Sequence, residues 1–366
     1  MIHVFEPSLD ETEVELVSKA IRAGEISGTF GKYLPEFEQK FAEYCDSKYA
    51  SAVSSGTTAL HLALAAYDFK EGSEVLVSAS TNVATALAAS HNNLVPIPVD
   101  SETETWNLDL NKVEDLITAK TKAIIPVHLF GHPVEMNELK NICDKHGIKI
   151  IEDCAEAHGA TVNGQKVGSF GDMSCFSFYA NKIITTGEGG MVVSNDKKLI
   201  DKVNYLKNLA FTQPRFRHID QGYNFRMTGY QAAMGIAQLA KIEGFIADKK
   251  RIASSYNAKL KEVKGLQTPV ELSWASNVYW MYAITIDTNY FSGNRDDLMK
   301  YLRENGVDSR TFFCPMNKQP CFDHLRTTDI DCPVAEEIWA SGLYLPSSVS
   351  LQENEIEYIC ELIKKF

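Results

Sequence analysis

Six short apolar runs, each bounded by polar or glycine-containing segments, constrain this chain most: "EVLVS" (74–78), "LVPIPV" (94–99), "KAIIPVHLF" (122–130), "IKIIED" (148–153), "CFSFY" (175–179) and "MVVSN" (191–195). Each has the length and composition of a buried strand. Helical stretches lie between several of them, as in "PVEMNELKNICDKHG" from Pro133. Strands alternating with helices imply βαβ units, and so an α/β fold whose central sheet is mostly parallel and covered on both faces. Ligands of such sheets sit at the carboxyl ends of the strands.

Helix patterns flank this region. "ETEVELVSKAIRA" places Val14, Val17 and Ile21 on one helical face. "TTALHLALAAY" is apolar nearly all round, as a buried helix is. After about residue 245 the texture changes. "DKKRIASSYNAKLKEV" puts Ile252, Tyr256, Leu260 and Val263 on one face of a long helix. A strand-like "MYAITI" (281–286) follows, then helices near 295–305 and 333–341. The last helix shows Ile356, Ile359, Cys360 and Ile363 at helical spacing. The expected organisation is a large domain over 1–245 and a smaller C-terminal α+β domain over 246–366, hinged by the long helix.

Composition narrows the classes of function. With 366 residues, 45% hydrophobic and 23% charged, the chain can bury a substantial core. A net charge of −12 argues against nucleic acid as a partner, because binding to a phosphate backbone needs a basic face. It leaves a small anionic ligand open, since a few backbone N–H groups can hold one phosphate. The N-terminus lacks the basic-then-apolar order of a signal peptide, and no apolar run is long enough to span a bilayer. Eight scattered cysteines, none in a CxxC pair, suggest core residues with free thiols in a reduced, cytoplasmic protein.

Three stretches could carry chemistry. "VSSGTTALHLAL" sets Gly56 and Thr57 at a helix start, where unpaired N–H groups and the helix dipole favour an anion. "IKIIEDCAEAHGA" delivers Glu152 and Asp153 to a strand's end, where a buried acid needs a partner such as a protonated ring nitrogen. "SFYANKIITTGEGG" places Lys182 just beyond a strand, with Gly187, Gly189 and Gly190 following for a turn of unusual backbone angles. Ser177 points opposite to Phe176 and Phe178 if that strand is regular. A lysine at a strand's end beside a desolvated site can attack carbonyls. Singly, each stretch has a plainer reading: a Ser/Thr helix cap, a loop-capping aspartate, an exposed loop lysine. Together they supply a phosphate cradle, an acid for a ring nitrogen and an amine for a Schiff base. Pyridoxal 5′-phosphate (PLP) demands all three. Cys154, His158, His128 and His132 form no familiar zinc spacing, so no metal is expected.

At these motifs the sequence resembles the DegT/DnrJ/StrS nucleotide-sugar aminotransferases. The likeness runs through "GTFGKYLPEFEQKFAEYC", "SSGTTALHLAL", "EDCAEAHGA", "GSFGDMSCFSF", "NKIITTGEGGMVVSND" and "GYNFRMTGYQAAMGIAQL". It implies fold type I of the PLP-dependent transferases and a homodimer with shared active sites. Lys182 matches the Schiff-base lysine and Asp153 the acid at the pyridine nitrogen. Glu156 matches a position near the ring hydroxyl. Gly56, Thr57 and Ser177 match phosphate contacts, and Asn224 a residue reaching the phosphate from the neighbouring subunit. Within the family the chain looks most like the perosamine-forming branch of O-antigen biosynthesis. That branch moves an amino group from L-glutamate to the 4-keto group of GDP-4-keto-6-deoxymannose. Arg226, Arg310 and Lys318 are candidates for the nucleotide phosphates. Asn317 stands where that branch tends to carry a histidine near the sugar. Asn82 stands where the family usually has an aromatic residue stacked on the cofactor, so stacking must come from elsewhere. Relatives with histidine in place of the lysine are dehydratases, and Lys182 therefore favours transamination. The alternatives are a transaminase for another keto-sugar or a small keto substrate, and a PLP-binding regulator without catalysis.

Overall fold

The computed structural model describes residues 1–366. Its central sheet has seven strands, in the order Tyr49–Val53, Gly190–Ser194, Met173–Ser177, Lys149–Asp153, Thr121–Ile125, Glu74–Ser78 and Val95–Val99. The last five pair in parallel. Gly190–Ser194 alone runs the other way, antiparallel to both of its neighbours. Alternate residues of each strand serve opposite faces. Val75 and Val77 join a core with Leu60, Leu62 and Leu64 of the helix Gly56–Ala65, while Leu76 joins one with Leu139 and Cys143 of the helix Met136–His146. The apolar-all-round helix is buried, as its composition requires.

Local departures have local causes. The edge strand Tyr49–Val53, "YASAV", has too few large apolar residues to stand out in the sequence. The run 122–130 is a strand only to Ile125. Pro126 follows, and the chain then turns through left-handed backbone at Phe130 (φ 52°) and Gly131 (φ 105°). The run 175–179 starts earlier, at Met173, and ends at Ser177. In the first helix, Glu11–Arg22, the apolar face is not the buried one: Glu13 and Ala20 are buried, while Val14 and Ile21 are each 56% exposed. Glu13 is held inside by Gln238 Nε2 at 2.8 Å and Lys241 Nζ at 2.5 Å.

The C-terminal part has its own antiparallel sheet, in the order Leu266–Gln267, Tyr282–Ile286, Gly342–Leu345 and Arg310–Thr311. Ile252, Tyr256 and Leu260 of the helix Ile242–Leu260 pack there with Ile356, Ile359, Cys360 and Ile363 of the helix Glu353–Lys365. Val263 lies past the end of its helix and packs at the margin of this core. The two parts interlock. Ile2 bridges Val307, so the N-terminus joins the C-terminal layer. Conversely, Arg326 pairs with Glu74 at 2.8 Å, and the Asp100 carboxylate accepts the Val334 and Ala335 N–H groups at the start of the helix Pro333–Ser341. No helix is long and apolar enough to cross a membrane, and all eight cysteines are free.

Candidate active site

A cavity of about 270 Å³ opens at the carboxyl ends of the parallel strands. Lys182, Asp153, Glu156, Ser177, Gly56, Thr57 and Asn82 all line it. A strand-end position, a helix start and a turn, far apart in sequence, thus converge as the topology of an open α/β sheet directs.

The cradle is built at the helix Gly56–Ala65. Ser55 caps it, its Oγ accepting the Thr58 N–H at 3.1 Å while Thr58 Oγ1 accepts the Ser55 N–H at 3.0 Å. The capping reading therefore holds for Ser55 and Thr58. It leaves the Gly56 and Thr57 N–H groups without partners, and these face the cavity. A Cβ on Gly56 would lie 2.7 Å from Ser177 Cβ, so only glycine lets the helix start approach the strand end this closely. Gly190 serves the same contact: a Cβ there would lie 2.4 Å from the Ser55 carbonyl oxygen. It sits in extended strand backbone, so its role is close approach rather than the turn geometry expected from sequence; Gly187 (φ 79°) supplies that.

Asp153 and Glu152 end the same strand with different fates. Glu152 points away from the cavity. Its carboxylate accepts the Gly168, Phe170 and Gly171 N–H groups and the Ser174 hydroxyl, all within 2.9 Å. His128 Nε2 lies 3.3 Å from it, and His128 Nδ1 accepts the Val134 N–H at 3.0 Å, which puts the ring proton toward Glu152. Burial raises the Glu152 pKa, but His128 and the backbone donors outweigh it and the net shift is downward. His128, Glu152 and Cys154 come close enough to hold an ion; the His128 and Glu152 atoms are engaged in this network, and the Cys154 thiol is not part of it. Asp153 accepts the Thr85 hydroxyl at 2.8 Å and the Ala155 N–H at 3.1 Å. Burial dominates here and raises its pKa. Glu156 accepts the Phe130 N–H at 2.9 Å. Burial pushes it up to about 7, with Lys182 opposing.

The Lys182 amine makes no hydrogen bond and lies over the Trp280 ring, 3.9 Å from its centroid. Desolvation lowers its pKa, against the raising effect of Glu156 and Asp153. His158 is buried among Phe41, Phe176 and Phe178, with both ring nitrogens unpartnered. Burial pushes it down to about 3, so it is a neutral packing group.

Other candidates lie outside the cavity. Asn224 is an exposed residue bridging Asn208, and Arg226 donates to Asn208 Oδ1 at 2.9 Å. Arg310 pairs with Asp308, although its strand neighbour Tyr344 lines the cavity. Asn317 and Lys318 both engage Glu336, at 2.9 and 3.0 Å, while Asn317 Oδ1 has no hydrogen-bond partner. Asn82 uses its side chain to accept the Ala84 N–H at 3.0 Å. Aromatic surface instead enters from Trp280, Phe313, Tyr344 and Tyr179. These four, and Thr85 behind Asp153, escaped the sequence reading. Only folding brings residues 280, 313 and 344 to residue 182, and no local pattern marks them.

A buried acid with acceptor capacity to spare, an amine without a hydrogen bond and free N–H groups at a helix start define a site for a phosphorylated ring aldehyde on a PLP-dependent transferase fold. Residues 7–364 match the DegT/DnrJ/EryC1/StrS aminotransferases, and the chain belongs to that family, whose cofactor is PLP. It is 40% identical over 367 residues to the GDP-perosamine synthase of Vibrio cholerae, covering all of this chain and 99% of the relative. Among solved structures it resembles the aminotransferase TlmJ of Streptoalloteichus hindustanus, with a TM-score of 0.93, 26% identity and coverage of 100% and 98%. It also resembles a variant of GDP-4-keto-6-deoxymannose-3-dehydratase with bound GDP-perosamine, with a TM-score of 0.92, 25% identity and coverage of 99% and 100%.

Proposed function

We propose that this protein transfers the amino group of L-glutamate to the keto carbon of a nucleotide-linked deoxy-sugar, with GDP-4-keto-6-deoxymannose as substrate and GDP-perosamine as product. One observation carries the reading: the Lys182 amine faces the cavity without a hydrogen bond, beside Asp153 and Glu156. The 40% identity to a GDP-perosamine synthase supports the choice of sugar.

Bound PLP supplies an electron sink for breaking the bond at the donor's α-carbon. Lys182 Nζ would anchor the cofactor and, once the donor's amine has displaced it, the freed amine would take the α-proton and return it at the carbon that receives the amino group. A base so placed contributes roughly 10²–10⁴-fold. Asp153, whose burial makes it seek a positive partner, holds the ring nitrogen protonated. Gly56, Thr57 and Ser177 would hold the phosphate, joined in a homodimer by Asn224 of the neighbouring subunit. Glu156 would adjoin the ring hydroxyl, where a carboxyl pushed up to about 7 by burial could accept or keep a proton. Arg310 is a basic candidate for the nucleotide, since its register partner Tyr344 lines the cavity. Arg226, Asn317 and Lys318 would first have to leave Asn208 and Glu336. The active unit in this reading is a cytoplasmic homodimer serving O-antigen sugar synthesis. Each subunit divides near residue 245 into a cofactor-binding part (1–245) and a C-terminal part (246–366).

The purified protein loaded with PLP is expected to show the cofactor's visible absorbance and to lose it on adding glutamate. Supplying GDP-4-keto-6-deoxymannose then yields an amino sugar by mass spectrometry. Lys182→Ala removes both responses, and turnover by that variant would refute the assignment. Loss of water from the sugar without gain of nitrogen would instead place the protein with the dehydratases.

A further inference from the structure

Trp280 holds Lys182 at both ends. Its ring face lies under the amine, 3.9 Å from Nζ to the centroid, and its Nε1–H donates to the carbonyl of Asn181 at 2.6 Å, one residue before the lysine. Trp280 is itself fixed from three sides, at its carbonyl, its backbone nitrogen and its ring. Lys249, buried in the helix Ile242–Leu260, donates to the Trp280 carbonyl at 2.8 Å and to that of Ser347. Phe130 stacks on the indole at 6.4 Å and 12°. Gly131 lets the backbone pass so closely that a Cβ there would lie 2.8 Å from the Trp280 nitrogen. Both flanking loops use left-handed backbone at non-glycine residues, Phe130 (φ 52°) and Tyr279 (φ 48°). Such conformations persist only where the surroundings hold them, and they gather at functional sites.

We propose that Trp280 is a positioning residue for Lys182: its indole face seats the amine, its N–H fixes the lysine's backbone, and Lys249 anchors it from the connecting helix. The inference rests on the reading of Lys182 as the PLP anchor. A ring face attracts an ammonium but leaves the nitrogen lone pair free once the proton departs. It can therefore hold the amine in place without tying it up, as Asp153 or Glu156 would in a direct ion pair. The seat is assembled from both parts of the chain, Lys182 lying in the loop after the strand Met173–Ser177 and Trp280 just ahead of the C-terminal strand Tyr282–Ile286. The amine is thus aimed only when the C-terminal part is docked. A tryptophan that merely filled the aromatic cluster with Phe130 and Tyr344 would be replaceable by leucine.

Two measurements decide the matter. In the cofactor-free protein, thermal unfolding is compared for Lys182→Met, Trp280→Leu and the double variant. With a seat, the double variant loses less than the sum of the single losses, by about 2 °C or more. Additive losses overturn the proposal. In cofactor titrations followed by absorbance, Trp280→Leu weakens PLP binding about tenfold, and Trp280→Phe, which keeps a ring face, stays within about threefold of wild type. Unchanged affinity in Trp280→Leu also overturns it. If Trp280→Leu does not fold, Lys249→Met replaces it, with an expected loss of about threefold and unchanged affinity as the contrary result. A wild-type protein that took up no PLP would refute the anchor role of Lys182, and the cofactor-free cycle would still decide the role of Trp280.

Discussion

Burial sets the charge of individual side chains here, and Lys249 shows it most simply. Its amine lies in the protein interior, and desolvation alone pushes its pKa down to about 7. A neutral amine still has two hydrogens, enough for the Trp280 and Ser347 carbonyls. The unfolded chain keeps this lysine protonated up to about pH 10.4. Between about 7 and that value the unfolded state therefore binds more protons than the folded one. Stability should rise with pH across this window, by on the order of 1 kcal/mol per pH unit from this group. Comparing urea unfolding of wild type and Lys249→Met at pH 7.5 and 9 tests this, since only the wild type should carry this slope. Glu156 and Asp153 are displaced by the same physics in the other direction, their acids held toward the protonated form. Sequence marked Asp153 and Lys182 as plausible because their types and settings suit a ring nitrogen and a carbonyl. It could not rank them against a loop aspartate and a loop lysine, because burial is a property of the fold.

At the scale of elements, the strand Lys149–Asp153 separates structural from chemical acid in consecutive residues. Alternation turns Glu152 to one face and Asp153 to the other. Glu152 ties the strand to the loop 168–171 through three N–H groups and to Ser174. Glu152→Ala would strand those donors and His128 in the interior, at a cost of on the order of 3–5 kcal/mol. Denaturant unfolding of that variant checks the figure, and a loss below about 1 kcal/mol would contradict the network's role. The helix Gly56–Ala65 shows how one start serves two purposes: Ser55 and Thr58 satisfy each other, and the two N–H groups between them stay open.

For the whole molecule, the first helix, Glu11–Arg22, is informative. Its apolar stripe was legible, but the stripe faces outward: Val14 and Ile21 are exposed, as are Leu9, Ile26 and Phe30 nearby. A helix that buries Glu13 and exposes valine and isoleucine offers an apolar face suited to an interface with a partner molecule. In the homodimeric reading that partner is the same face of a second copy, as a two-fold interface allows. Val14→Glu combined with Ile21→Glu should leave the fold intact, since exposed positions change stability little, and shift the protein from dimer toward monomer in sedimentation velocity. An unchanged dimer would place the interface elsewhere.

The sequence by itself determined the layered α/β architecture, the buried helix Gly56–Ala65 and the family to which the chain belongs. Hydrophobic period and residue type are local properties, and the motif resemblance named what the three stretches do together. Tertiary structure decided which apolar face is buried, which of two adjacent acids meets the cavity, and that Trp280, Phe313 and Tyr344 line one cavity with the lysine. Those outcomes depend on packing between segments up to a hundred residues or more apart, and no local pattern encodes which surfaces will meet.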